Sequence, residues 1–126
     1  MDLNPYEFTA PYEKKEFANF CKEKEVAIIV FLTNWLNASE DDPEMFEESE
    51  ERSYDLLNYW LNRCSPLLDS KEKVCYFLSA NRCGIERKIK FAGTSAILKL
   101  AKEPALIDKL TIGEENYILN SIELSL

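Results

Sequence analysis

The chain has 126 residues, 46% of them hydrophobic and 30% charged, with 15 Lys+Arg against 23 Asp+Glu; that size fits one small domain. Eight of the acids fall between Glu40 and Glu51, where no base occurs, so the net charge of −8 resides in that one segment. No basic stripe remains for phosphates, which argues against nucleic acid as a partner, and an anionic membrane surface is disfavoured for the same reason. Histidine is absent, which removes Ser-His-Asp and Cys-His catalysis together with imidazole metal sites; no metal and no cofactor are expected. The longest apolar run, Val26 to Leu32, is far short of a bilayer span. The polar start MDLNPYEF does not read as a signal peptide. Cys21, Cys64, Cys75 and Cys83 show no CxxC spacing and sit among apolar neighbours, so they read as buried, reduced thiols of a cytoplasmic protein.

In chain order, Pro5 and Pro11 keep the first twelve residues from forming one regular element. An amphipathic helix is predicted from about Glu13 to Lys24, with Phe17, Phe20 and Cys21 on one face. The run Val26 to Leu32 reads as a strand covered on both faces, as in parallel sheets. Thr33 to Asn37 reads as a polar loop holding one large aromatic, Trp35. The acidic stretch at about 38–51 reads as a solvated loop or insert running into a helix N-terminus, where the helix dipole favours carboxylates. That helix is predicted from about Glu47 to Cys64 and ended by Pro66. Lys73 to Ala80 is a second buried strand, and Thr94 to Leu100 a third. Lys102-Glu103-Pro104 is a turn, and the alternating tail Tyr117 to Leu126 predicts a strand with one wet face. The class is α/β.

Chemistry is harder to place. None of the four cysteines shows a base or an oxyanion site near it in sequence. Cys83, between Arg82 and Gly84, is the one a nearby cation could activate, but it too reads as structural filler. The ordered set Asn81-Arg82-Cys83-Gly84-Ile85-Glu86 and Phe91-Ala92-Gly93-Thr94-Ser95 stands out. A buried strand ends in Asn-Arg, Gly84 permits a tight turn, and a hairpin-like excursion returns through Phe-x-Gly-x-Ser into another strand.

This pattern resembles the C-terminal signature of the carbon–nitrogen hydrolase (nitrilase) superfamily. The apolar strand ending in Thr33-Asn34-Trp35 and the opening Met1 to Phe8 are similar to segments beside that family's pocket and directly after its nucleophile. Tyr59-Trp60, Pro66-Leu67 and Trp35-Leu36-Asn37 bring the resemblance closest to the fungal protein N-terminal asparagine amidohydrolases of the N-degron pathway. The resemblance implies a four-layer αββα sandwich, of which residues 1–126 would be a C-terminal, incomplete part. It also implies a Glu-Lys-Cys triad whose Cys would lie just before Met1 and whose Glu and Lys would lie further upstream. On that reading no catalytic residue is in this chain, which should be inactive and dependent on a companion for stability. Protein N-termini bearing Asn or Gln are the implied substrates once the missing half is supplied. Asn34, Trp35, Asn81, Arg82 and Glu86 are the candidate pocket residues. For Asn34 a turn role, for Trp35 core packing, and for Glu86 a surface turn remain open. Asp2 and Arg82 are expected to form an ion pair that orders the loop. The alternative is a non-catalytic interaction protein, or a decayed copy, that pairs with a full-length relative.

Overall fold

A computed structural model of the chain describes residues 2–39, 50–69 and 73–124. Its main layer is a four-stranded sheet in the order β1 (Ile28–Thr33), β3 (Cys75–Asn81), β6 (Ala96–Leu100) and β7 (Ala105–Lys109). β1 and β3 run parallel, whereas β3–β6 and β6–β7 are antiparallel, so the sheet is mixed. A second, three-stranded antiparallel sheet joins β2 (Leu36–Ser39) to β5 (Ile89–Phe91) and β5 to β4 (Ile85–Glu86). Helices α1 (Glu16–Glu23) and α2 (Glu50–Arg63) pack on one face of the larger sheet.

The core forms where an apolar stripe of α2 meets alternate strand residues. Leu57, Trp60 and Cys64 pack against Phe77, Leu98 and Leu100, and Trp60 is only 1% exposed. Rings extend this core outward: Phe31 lies edge-on to Trp60 at 5.3 Å, and Trp35 does the same at 4.9 Å. The predicted first helix is shorter than expected. Tyr12–Lys14 form a 3-10 turn, and Lys15 then takes a left-handed conformation (φ 43°) that separates it from α1. Backbone of that kind cannot continue a right-handed helix.

Four further expectations change. β1 is covered on one face only: Ile29 is buried, but Val30 and Leu32 are 68% and 76% exposed. Beside them on that face stand Leu78 and Ala80 of β3 and Ile97 of β6, Leu78 and Ile97 being half-buried where Tyr117 and Ile118 of the tail flank a shared cavity. The segment read as a polar loop already becomes β2 at Leu36. A strand that the sequence reading passed over, β7, follows the turn at residues 101–103. Residues 117–124 of the tail form no strand, because Asn116 and Asn120 accept the next residue's N–H (2.9 and 2.8 Å) and local bonds replace a ladder. The tail's alternation survives as packing, with Ile118 half-buried and Tyr117 and Leu119 exposed. The acidic stretch at 40–49, including the expected helix start at Glu47, lies outside the described residues.

The cysteines behave as small core residues in three cases. Cys21, Cys64 and Cys75 are buried and Cys83 is partly exposed, all with free thiols. Burial pushes Cys64 up from 9.0 to about 12 and Cys75 to about 11, neighbouring thiols adding to both; burial raises Cys21 as well. A thiol protonated more firmly in the folded than in the unfolded chain contributes stability fully present below the unfolded pKa, and loses it as pH rises through the folded value. Urea melts should therefore show this contribution intact below about pH 8 and lost between about pH 9 and 12, with Cys64→Ala flattening the decline. In native protein a thiol reagent should label Cys83 first and reach the other three only on unfolding.

Candidate functional site

The parallel strands β1 and β3 end side by side, and their ladder stops there with backbone groups still to satisfy. Asn81 does most of that work. Its carboxamide oxygen accepts the Trp35 N–H (2.8 Å), and its NH2 donates to the carbonyls of Gly93 (2.9 Å) and Trp35 (3.4 Å). Its own N–H donates to Ser95 Oγ (3.0 Å), which donates back to the Asn81 carbonyl (3.3 Å). The Arg82 N–H reaches the Thr33 carbonyl, and Gly93 N–H the Arg82 carbonyl. One side chain thus ties the β1–β2 connection to the chain entering β6.

Gly93 has its role in this junction. Its φ is +54°, and a Cβ there would lie 3.2 Å from both the Cys83 Cβ and the Gly113 backbone nitrogen. Thr94 follows at φ 53°, an unusual conformation for a β-branched residue. It is held by a bond to the Ala92 carbonyl (3.0 Å) and by the Ser53 hydroxyl of α2 at 3.2 Å.

Around the strand ends opens a cavity of about 610 Å³, and Asp2, Asn34, Asn81 and Arg82 all border it. The C-terminal ends of parallel strands are where α/β sheets present their ligands. Four of the six residues singled out in the sequence therefore converge. Trp35 does not: it faces a second cavity between β2 and α2, with its ring 5.1 Å from Tyr59 and 5.9 Å from Phe8. Glu86 does not border either cavity; it pairs with Arg82 at 2.5 Å. The expected Asp2–Arg82 ion pair gives way to that bond. Arg82 instead turns toward β4 and stacks on Phe91, 4.4 Å from its ring centre, while Asp2 accepts the Asn4 N–H at 3.1 Å. Asn81, 9% exposed, offers its amide to the fold.

Behind the cavity lie supporting residues whose roles the sequence did not reveal. Arg63 is 4% exposed and donates to the Leu3 carbonyl (2.7 Å) and the Tyr12 carbonyl (2.9 Å) while lying over the Tyr12 ring. Tyr59 donates to Asn4 Oδ1 (3.0 Å). Two side chains of α2 thereby fix the segment that leads into the cavity at Asp2. An arginine on the apolar stripe of α2, three residues from Trp60, was the available signal. Among the described residues no group of three or more Cys, Asp or Glu is arranged to hold a metal ion. No cysteine borders the strand-end cavity.

No protein-family model matches the chain. It is 35% identical over 130 aligned residues to the protein N-terminal amidase of Schizosaccharomyces pombe, an overlap that takes in 94% of this chain and 44% of that protein. The chain is homologous to that fungal amidase over most of its length. A 39-residue stretch is 44% identical to the protein N-terminal amidase of Saccharomyces cerevisiae, covering 31% of this chain and 8% of that one. In three dimensions the chain is similar to an N-terminal amidase crystallised with an Asn-Glu-Ala peptide. The TM-score is 0.68 at 19% identity, over 90% of this chain and 55% of the other. The fold is therefore that of part of an N-terminal amidase, and the chain spans less than half the length of the Schizosaccharomyces relative.

The junction makes a direct prediction. Asn81→Asp keeps the acceptor for Trp35 but loses both donors and sets a carboxylate against two carbonyls. It should cost about 2–4 kcal/mol in urea melts at pH 7, from unmet buried groups and the added charge. The deficit should narrow as pH falls, since a protonated carboxyl can again donate to Gly93.

Proposed function

We propose that this chain supplies one wall of an amidase that hydrolyses the side-chain amide of an N-terminal Asn, or Gln, on polypeptides, within a carbon–nitrogen hydrolase fold. One observation carries the reading. Asn81 and Arg82 of the recognised motif, far from Asn34 and Asp2 in sequence, border a single cavity with them at the strand ends. Homology over 94% of the chain to a protein N-terminal amidase supports it. In the proposed chemistry a cysteine thiolate adds to the amide carbon, the amide nitrogen leaves as ammonia, and water hydrolyses the thioester. The thiolate, a carboxylate base and a lysine facing the oxyanion come from a companion segment, because no cysteine of this chain borders the cavity. This chain's part is to shape the pocket through Asn34 and the Asn81 junction. The four free thiols fit a reducing, cytoplasmic setting.

The open part of this face of the larger sheet, at Val30 and Leu32, supports the companion. A strand as uniformly apolar as β1 suits burial on both sides, yet Val30 and Leu32 are open and β1 is an edge strand. In the proposed sandwich a second sheet covers this face. The same surface would also receive a full-length relative, the non-catalytic alternative.

The test is ammonia release from an Asn-initiated peptide. The chain alone should release none. Mixed with a recombinant segment comprising the part of the Schizosaccharomyces relative that lies outside the matched region, it should gain activity. Ammonia from the chain alone, or none from a stable mixture, would overturn the proposal. Val30→Lys should abolish co-purification with that segment while shifting the chain's own stability by less than about 0.5 kcal/mol, as exposed substitutions do.

A further inference from the structure

The second cavity, of about 380 Å³, lies between β2 and α2. Trp35, Ala92 and Ile112 give it an apolar floor, and Asn37, Arg52 and Asp55 border it as polar groups. Three observations define what it can hold. The Asn37 side-chain NH2 is buried and finds no acceptor among the described residues, a state that a bound acceptor would relieve. Arg52 and Asp55 contribute one charge of each sign, so the lining has no net charge with which to attract an ion. Trp35 follows directly on Asn34, which borders the strand-end cavity. An extended peptide advances about 3.3 Å per residue, so a chain whose first residue occupies the strand-end cavity reaches this one within the next few.

We infer that the β2–α2 cavity is a subsite for the polypeptide that follows the N-terminal residue. A backbone carbonyl of that polypeptide accepts from Asn37 Nδ2, and an uncharged side chain lies on Trp35. The inference rests on the amidase reading and adds to it a preference for what lies downstream of the reacting residue.

The experiment uses the isotope-labelled full chain and two probes followed by NMR: Asn-Leu-Ala amide, and acetyl-Leu-Ala amide, which lacks the N-terminal Asn. Both should shift the Asn37 side-chain amide and the Trp35 indole. Asn37→Asp, which keeps the size but removes the donor, should weaken both about tenfold, the effect of one lost hydrogen bond. Should that variant not fold, Asn37→Ala makes the same test. The inference is overturned if the acetylated probe leaves Asn37 and Trp35 unmoved, or if a folded Asn37 variant binds undiminished. Failure of the amidase reading looks different. The two probes would then bind equally well, with the signals of Asn34 and Arg82 unmoved by either. If instead only the free-terminus peptide acts, and only at Asn34 and Arg82, the amidase reading stands and the subsite falls.

Discussion

The carboxamide of Asn81 is the constraint on which the rest of the molecule turns. A parallel ladder that stops leaves donors and acceptors facing sideways, and they must be met in a place too buried for water. Asparagine offers both kinds of group on one short side chain. Here it meets the Trp35 N–H, the Trp35 carbonyl and the Gly93 carbonyl together. The positions of Asn34, Trp35 and Arg82 around the cavities all follow from that arrangement. The amide that looks most available for a ligand in the sequence is thus committed to the backbone. Asn34 keeps its side chain for the cavity rim because Asn81 has settled the main chain beside it, whereas the Arg82 side chain is engaged by Glu86 and Phe91.

The same junction explains which parts of the fold were legible. Gly84, Gly93 and Ser95 could be read because each has a local requirement that few residues meet. Gly84 turns at φ +89°, Gly93 has no room for a Cβ, and Ser95 shares the Asn81 backbone groups. The β4–β5 hairpin was foreseen as an excursion for this reason. The faces of β1 were not legible. When every residue of a strand is apolar, alternation carries no signal, and the run predicts cover on both sides whether or not the partner lies in the same chain. β7 was missed because Ala-Leu-Ile-Asp-Lys is short and sits at an edge, where no burial pattern disciplines the sequence. The tail misled in the opposite sense. It alternates as a strand would, yet two asparagines satisfy the neighbouring backbone locally.

Helix α2 has a second task beyond the core. Tyr6, Glu7 and Phe8 are consecutive non-glycine residues in the left-handed region (φ 55°, 52° and 67°), a conformation costing about 1–2 kcal/mol for each. Something must hold them. Arg63 makes two bonds from a charged donor to carbonyls on either side of the strained turn, at Leu3 and Tyr12. Such bonds contribute about 1.5–3 kcal/mol each. The two magnitudes match, so the turn can persist although Tyr6 and Phe8 leave most of their rings exposed. Phe8 lies only against Trp35 among the aromatic contacts of the described residues.

Strain of this kind persists only where the surroundings over-determine it. α2 buries an arginine whose Nε has no partner among the described residues in order to hold Leu3 and Tyr12 in place. That is an expensive way to fix a peripheral segment, and cheap if the segment's path matters. The path leads from Tyr12 back through the left-handed turn to Asp2 at the strand-end cavity. Under the proposed reading, α2 sets the path of this segment beside the pocket through Arg63 and Tyr59. The helix then links the two cavities physically. Tyr59 anchors Asn4 on the strand-end side and borders the β2–α2 cavity on the other.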